Sequence, residues 1–301
     1  MTKIKNLQNQ FRVCDHVLFD QTEHGIVLIR IDHPLATATM SLEGGQVLEW
    51  QPKSQSLPVL WRAEAAHWLP DRAIRAGVPL CWPWFGPHPT ESKAPSHGYA
   101  RLCAWDVTAI SMHPSGSIEI DLRMEATHGA ATHHGLRASL ASHISVGETL
   151  SISLITTNLS DHPIVITEAL HAYFNIGDIR DIQIQGLNGC EYIDLLDQQR
   201  RKTQHGMIQF SEETGRVFLN TMNDCRLIDA KYNRTLRIQK TGSQSTVIWN
   251  PWLDTASKMN DLGPVEWQKM VCIESANAFD NTVRIEAGEQ HTLSVSYSIE
   301  D

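Results

Sequence analysis

The sequence predicts an all-β fold, a large antiparallel β-sandwich with a few short helices. Two observations carry this prediction. Apolar and polar residues alternate over many short stretches, and helical periodicity is scarce. In SIEIDLRMEA (117–126), Ile118, Ile120, Leu122 and Met124 fall on one face, with Glu119, Asp121, Arg123 and Glu125 on the other. Such a period of two belongs to a strand with one face buried.

In chain order, strands are expected at 25–33, 36–42 and 46–51, then at 117–126 and 149–154, with VGE (146–148) as the turn before the last of these. Further strands are expected at 163–170, 181–186, 235–240, 245–250 and 270–274. TVRIEAGEQHTLSVSYSIE (282–300) reads as a hairpin with Ala-Gly-Glu at its turn. DTASKMND (254–261) reads as one or two helical turns with Asp254 as N-cap. No Gly/Ser/Pro linker or internal repeat divides the 301 residues, so one domain over 1–301 is expected.

Residues 61–100 break the alternation. They hold six of the thirteen prolines and four of the nine tryptophans, which stiffen the chain and bring apolar surface to bury. An ordered aromatic loop over a sheet, forming one wall of a pocket, is expected.

Hydrophobic residues make up 42% of the chain and charged ones 20%, enough to bury a core. The net charge of −9, with no Lys/Arg run, argues against a nucleic-acid surface. MTKIKNLQNQF at the start has no apolar h-region, and no stretch of about 18 apolar residues occurs, so a cytoplasmic protein without a membrane span is expected. The six cysteines (14, 81, 103, 190, 225, 272) form no C-x-x-C pair and read as buried thiols. A monomer is expected.

G-x-G-x-x-G, G-x-x-x-x-G-K-[ST] and G-x-S-x-G are all missing, which removes support for a nucleotide cradle or a hydrolase elbow. His128, His133, His134 and His143 crowd THGAATHHGLRASLASH, which reads as a hairpin loop. No cysteine or carboxylate accompanies them at ligand spacing, so no metal is expected. Two other polar intrusions differ. PIVITEALHAYFNIGD (163–178) delivers Thr167, Glu168 and His171, and MVCIESANAFDN (270–281) delivers Glu274, each from an apolar strand. Either alone reads as an outward-facing side chain. Together, a histidine and a carboxylate at the ends of apolar strands supply what general acid–base chemistry needs.

Six stretches then occur in a telling order: AIRAGVPLCWPWFG, SHGYAR, TEALHAYF, EETGRVF, VIWNPW and MVCIESAN. In this the chain resembles the hexose-6-phosphate mutarotases (glucose-6-phosphate 1-epimerases), a branch of the aldose 1-epimerase, galactose mutarotase-like family, over roughly residues 15 to 297. The resemblance implies a supersandwich with a sugar on its concave sheet, a small-molecule hexose 6-phosphate as partner, and no cofactor. It implies that Arg75 and Arg101 hold the 6-phosphate, that His97 orients the ring and stabilises developing charge, that His171 is the general acid and Glu274 the general base. Ser96, at a variable position, is a further substrate-side candidate. Gly215 stands where members commonly have an Asp that accepts a sugar hydroxyl, which bears on affinity and specificity. Two alternatives remain open at this point: an aldose 1-epimerase for unphosphorylated sugars, and a non-catalytic sugar-phosphate-binding protein.

Overall fold

A strand with one apolar face needs a second sheet to cover it, and the chain builds its layers accordingly. The structure, a computed structural model, describes residues 2–11, 15–125 and 136–300. His128, His133, His134 and Cys14 lie outside the described residues.

Helix α1 (Thr2–Gln10) is followed by β1 (Val17–Gln21), β2 (Val27–Asp32), β3 (Ala36–Ser41) and β4 (Gln46–Pro52), which pair in that order as an antiparallel meander. Next come β5 (Leu80–Cys81), β6 (Asp106–Met112), β7 (Ile118–Glu125), β8 (Ala138–Val146) and β9 (Leu150–Asn158). The middle of the chain gives β10 (Ile164–Ile166), β11 (Glu168–Leu170), β12 (Tyr173–Asn175), β13 (Ile182–Gln185), β14 (Glu191–Asp194), β15 (Arg200–Thr203) and β16 (Thr214–Phe218). It ends with β17 (Cys225–Asp229), β18 (Arg234–Thr241), β19 (Ser245–Asn250), the short helix α2 (Trp252–Ala256), β20 (Met270–Asn277), β21 (Val283–Ile285) and β22 (Gln290–Glu300).

Two eight-stranded sheets dominate. One runs β13-β17-β18-β22-β9-β8-β7-β6; the other runs β15-β14-β16-β19-β20-β11-β5, with β12 paired to β20. Their facing sides share one core, where Phe174 of β12 meets Tyr297 of β22 edge to face at 5.2 Å. In β9 burial alternates along all nine residues. The predicted all-β antiparallel class is the one found.

Three local expectations are corrected. The strand at 163–170 is two strands in different sheets: the Thr167 backbone N–H donates to Pro83 and its hydroxyl accepts from the Phe85 N–H, peeling the chain off between β10 and β11. Residues 282–300 are not a hairpin. β21 pairs with β10, and β22 pairs with β9 and β18, because the longer apolar stripe of β22 is covered by the large sheet. The short helix starts at Trp252 after Pro251, so Asp254 lies in its first turn and not at the cap.

The site's position follows from register. Paired residues in antiparallel strands share a face. Val217, Val247 and Glu274 form one row across β16, β19 and β20; Gly215, Trp249, Cys272 and Tyr173 form the next. Both rows face away from the sandwich core. β20 is nevertheless buried along its whole length, because the 75–101 segment covers that outer face.

Candidate active site

The covering segment is held by rings and by two close approaches. Trp82 and Trp84 each meet Tyr99 edge to face, at 5.5 and 5.8 Å. Trp82 Nε1 donates to Thr156 Oγ1, and Trp84 Nε1 to the Pro95 carbonyl. A Cβ on Gly98 would stand 2.0 Å from the Trp82 carbonyl oxygen, and one on Gly77 would stand 1.9 Å from that of Val47. Those contacts explain why "HG" and "RAG" carry glycine. The ordered aromatic wall expected of residues 61–100 is present: Trp84 and Phe85 line a cavity of about 1280 Å³.

Arg75, Ser96, His97, Arg101, His171 and Glu274, all singled out from sequence, line this same cavity. They come from four separate parts of the chain. His171 is stacked on Tyr173, with ring centres 4.9 Å apart and planes 15° apart, and its Nε2 lies 3.4 Å from Glu274 Oε1. Only 2% of Glu274 and 7% of His171 is exposed. Burial drives the Glu274 carboxyl well above the ordinary carboxylate range, with Arg101 pulling the other way. Burial, followed by His97 and Arg101, holds the His171 imidazole well below its usual value. Both shifts favour the uncharged forms, imidazole and carboxylic acid. Glu274 lies within β20 rather than at a strand end, so it is fixed on both sides by the ladder.

His97 adopts a left-handed backbone, φ 63°, which is uncommon for a residue with a side chain. Its N–H donates to the Gly86 carbonyl and its Nδ1 accepts from the Gly86 N–H. Nε2 must then carry the ring proton, leaving it as a donor. Burial, with Arg101 and Arg75 adding to it, pushes the His97 value down to about 3. This ring is a neutral hydrogen-bond donor and not a proton-transfer group.

The two arginines differ. Arg75 Nε lies 2.9 Å from Asp261 Oδ2, and its Nη1 donates to the Tyr173 hydroxyl at 3.0 Å. Arg101 donates from Nη2 to the Ser96 carbonyl at 2.8 Å, while its Nε is buried without a hydrogen-bond partner. Ser96 is exposed and contributes to the cavity edge, with its backbone fixing Arg101. Gly215 lies in β16 opposite Trp249, with no left-handed φ; an added Cβ would meet Leu195 and Leu196 at 3.5–3.8 Å, ordinary contact.

Tyr173, Trp249 and Asp261 were missed as working parts of the site. "TEALHAYF" and "VIWNPW" could have flagged the first two; nothing local marks Asp261. Of the histidines at 128–143, His143 is the described one, and it looks different in space. Register places His143 between Asp121 and Glu119, at 2.7 and 3.1 Å, carboxylates that sequence spacing had hidden.

A buried imidazole–carboxyl pair beside neutral and cationic donors lines a cavity on the covered outer face of an antiparallel sandwich, an arrangement able to exchange protons with a polar molecule. Comparison with known proteins sharpens that class. Residues 27–298 match the aldose 1-epimerase family. A provisionally named glucose-6-phosphate 1-epimerase of Escherichia coli (strain K12) is 34% identical over 257 residues, covering 83% of each chain. One of the same provisional name from Salmonella typhimurium is 31% identical over 252 residues, again 83% of each. The crystal structure of a provisionally named mutarotase from Salmonella typhimurium superposes with a TM-score of 0.87 at 27% identity, covering 97% of this chain and 96% of that one. The chain belongs to the aldose 1-epimerase family. It is an epimerase acting on a small-molecule sugar. Among the described residues, no helix is long and apolar enough to cross a membrane.

Proposed function

We propose that this epimerase interconverts the α and β anomers of glucose 6-phosphate. The observation that carries this reading is the pair of guanidinium groups, Arg75 and Arg101, lining the cavity that holds His171 and Glu274. A neutral sugar does not need two cations. A phosphate matches guanidinium donors through paired, charge-assisted hydrogen bonds. The resemblance to the provisionally named glucose-6-phosphate 1-epimerases supports the same substrate.

In the proposed reaction the proton shared by the pair moves from Glu274 to His171 across their 3.4 Å contact, giving carboxylate and imidazolium. Glu274 takes the proton from the anomeric hydroxyl while His171 gives one to the ring oxygen. The C1–O5 bond breaks and the aldehyde forms. Rotation about C1–C2 followed by closure on the other face returns both protons to their starting groups. His97 supplies its Nε2–H to a sugar oxygen on which negative charge builds, and no cofactor enters. We further propose a single-domain, monomeric, cytoplasmic protein.

The Arg75–Asp261 ion pair favours a second reading, an epimerase for unphosphorylated sugars, because it neutralises one of the two cations. Exchange-mode NMR of anomeric glucose 6-phosphate and of glucose, with and without protein, decides. Acceleration mainly of the phosphosugar supports the proposal; equal or greater acceleration of glucose replaces it with the second reading. Binding of glucose 6-phosphate without exchange would point to a non-catalytic binder.

A further inference from the structure

One side chain beneath the cavity has no part in these proton transfers. Cys272 lies two residues before Glu274 on β20, so both leave the same face of the strand. In register it stands between Tyr173 on β12 and Trp249 on β19. Its sulfur, a Glu274 carboxylate oxygen and a His171 ring nitrogen all lie within 4.8 Å of one another, and all three residues are buried. Glu274 Oε2 and His171 Nδ1 are buried without hydrogen-bond partners. Three donor atoms of metal-binding type thus converge, and two of the three groups have an unused polar atom.

We propose that His171, Cys272 and Glu274 form a binding site for a soft divalent cation of the zinc class, and that this ion is a reversible inhibitor competing with the sugar for the acid–base pair. The donor set suits it. Thiolate, imidazole and carboxylate are all established zinc ligands, and three protein ligands leave a fourth position open. That position would face the cavity, where water completes the tetrahedron. Zinc bonds of about 2.0–2.3 Å place ligand atoms about 3.3–3.8 Å apart. No two of the three atoms, all within 4.8 Å of one another, need to close by more than about 1.5 Å, within reach of side-chain rotations. Hard cations are disfavoured, since Mg²⁺ and Ca²⁺ require several oxygen ligands.

Charge balance points the same way. Cys272 as thiolate and Glu274 as carboxylate supply two anionic ligands that neutralise the ion, and His171 lends a lone pair. Because metal ligands must be deprotonated, binding releases protons and weakens as pH falls. The bound ion would occupy both groups needed for ring opening. This is why inhibition, and not activation, is expected.

Binding rests only on the positions of these three side chains; inhibition also rests on the acid–base roles proposed above. The test uses the full chain after EDTA treatment, titrated with Cd²⁺ while following the ultraviolet cadmium–thiolate charge-transfer band. Zn²⁺ is titrated calorimetrically in buffers of differing ionisation enthalpy. One equivalent with a thiolate band, proton release on binding, and loss of anomer exchange restored by EDTA are expected. Outer-shell partners alone contribute about 10–100-fold to metal affinity, so Cys272→Ala should abolish the band at this site and weaken Cd²⁺ binding by more than about 100-fold. Glu274→Gln, nearly isosteric, should keep the thiolate band but weaken binding; it provides the test if Cys272→Ala does not fold. A wild-type protein without the band, or a band persisting at unchanged affinity in Cys272→Ala, overturns the site. Cd²⁺ bound through Cys272 with exchange unaffected overturns the inhibition and counts against the assigned acid–base pair.

Discussion

Arg101→Ala separates the proposed phosphate contact from the proton chemistry. Arg101 lines the cavity, is held at one nitrogen by the Ser96 carbonyl and is in no ion pair among the described residues, so it can donate to a ligand without breaking one. A charge-assisted hydrogen bond contributes about 1.5–3 kcal/mol, and about 1.4 kcal/mol is tenfold. The substitution should therefore lower kcat/KM for glucose 6-phosphate by about 10- to 150-fold. A second effect acts through the field. Arg101 lowers the proton affinity of His97, His171 and Glu274 alike. Removing the cation raises all three, so both limbs of a bell-shaped pH–rate profile should move towards higher pH. Glucose, which has no phosphate, should show the profile shift and only a small loss of rate. The assay is exchange-mode NMR on both sugars across a range of pH. Equal losses on the two sugars with unmoved limbs would make Arg101 a structural residue and sink the phosphate reading.

Glu274→Gln should cut anomer exchange by about 10²–10⁴-fold, the usual range for one acid–base group. It should also stabilise the fold increasingly as pH rises: the wild-type carboxyl is raised in the folded state, so its contribution is full below the ordinary carboxylate range and lost as pH climbs towards the folded value. Calorimetric Tm differences that shrink with pH would contradict this. His171→Asn should lose a similar factor in rate, with the opposite stability trend. Its imidazole is depressed on folding, so wild-type stability falls below about pH 6.5 and the variant's Tm should gain most in acid. Asp261→Asn should loosen Arg75, whose side chain is 20% exposed, and raise KM for glucose 6-phosphate by about tenfold with little change in kcat; a matching fall in kcat would instead place Asp261 in the proton chemistry. Gly215→Asp should fold without backbone strain and lower KM by up to about tenfold if the carboxylate reaches a sugar hydroxyl. An unchanged KM and unchanged discrimination among hexose epimers would show that Gly215 does not face the sugar.

Local alternation is a property of the chain, and it revealed strands such as 117–126 directly. Pairing is not local. Nothing between Val283 and Glu300 shows that β21 belongs with β10 while β22 crosses to β9, because that choice depends on which apolar stripe each partner leaves uncovered. The site shows the same division. Arg75, His97, Arg101, His171 and Glu274 carry polar chemistry inside apolar or aromatic stretches, which made them visible. Cys272 was hidden because an apolar neighbourhood is where a thiol is expected, and Asp261 because a polar segment is where a carboxylate is expected. Only the fold brings that carboxylate to Arg75, 186 positions away by the numbering, at 2.9 Å.

Imidazole with carboxylic acid, and imidazolium with carboxylate, hold the same number of protons and differ in where one of them sits. Arg75 opposes the catalytic arrangement, since it disfavours the His171 imidazolium, whereas Arg101 disfavours the proton on His171 and on Glu274 alike. A phosphate monoester brings about −1.5 to −2 charges at neutral pH. Seated between Arg75 and Arg101, it would cancel that opposition and let the proton move from Glu274 to His171 when substrate is bound. Glucose would leave the field uncompensated. Phosphate preference should then appear in turnover as well as in affinity, because binding energy at the remote end of the sugar prepares the acid at the reacting end. The same reasoning makes the pH limbs of Arg101→Ala more informative than its KM. A residue that only gripped phosphate would move KM and leave the limbs in place, whereas one whose field also sets the proton's position must move both.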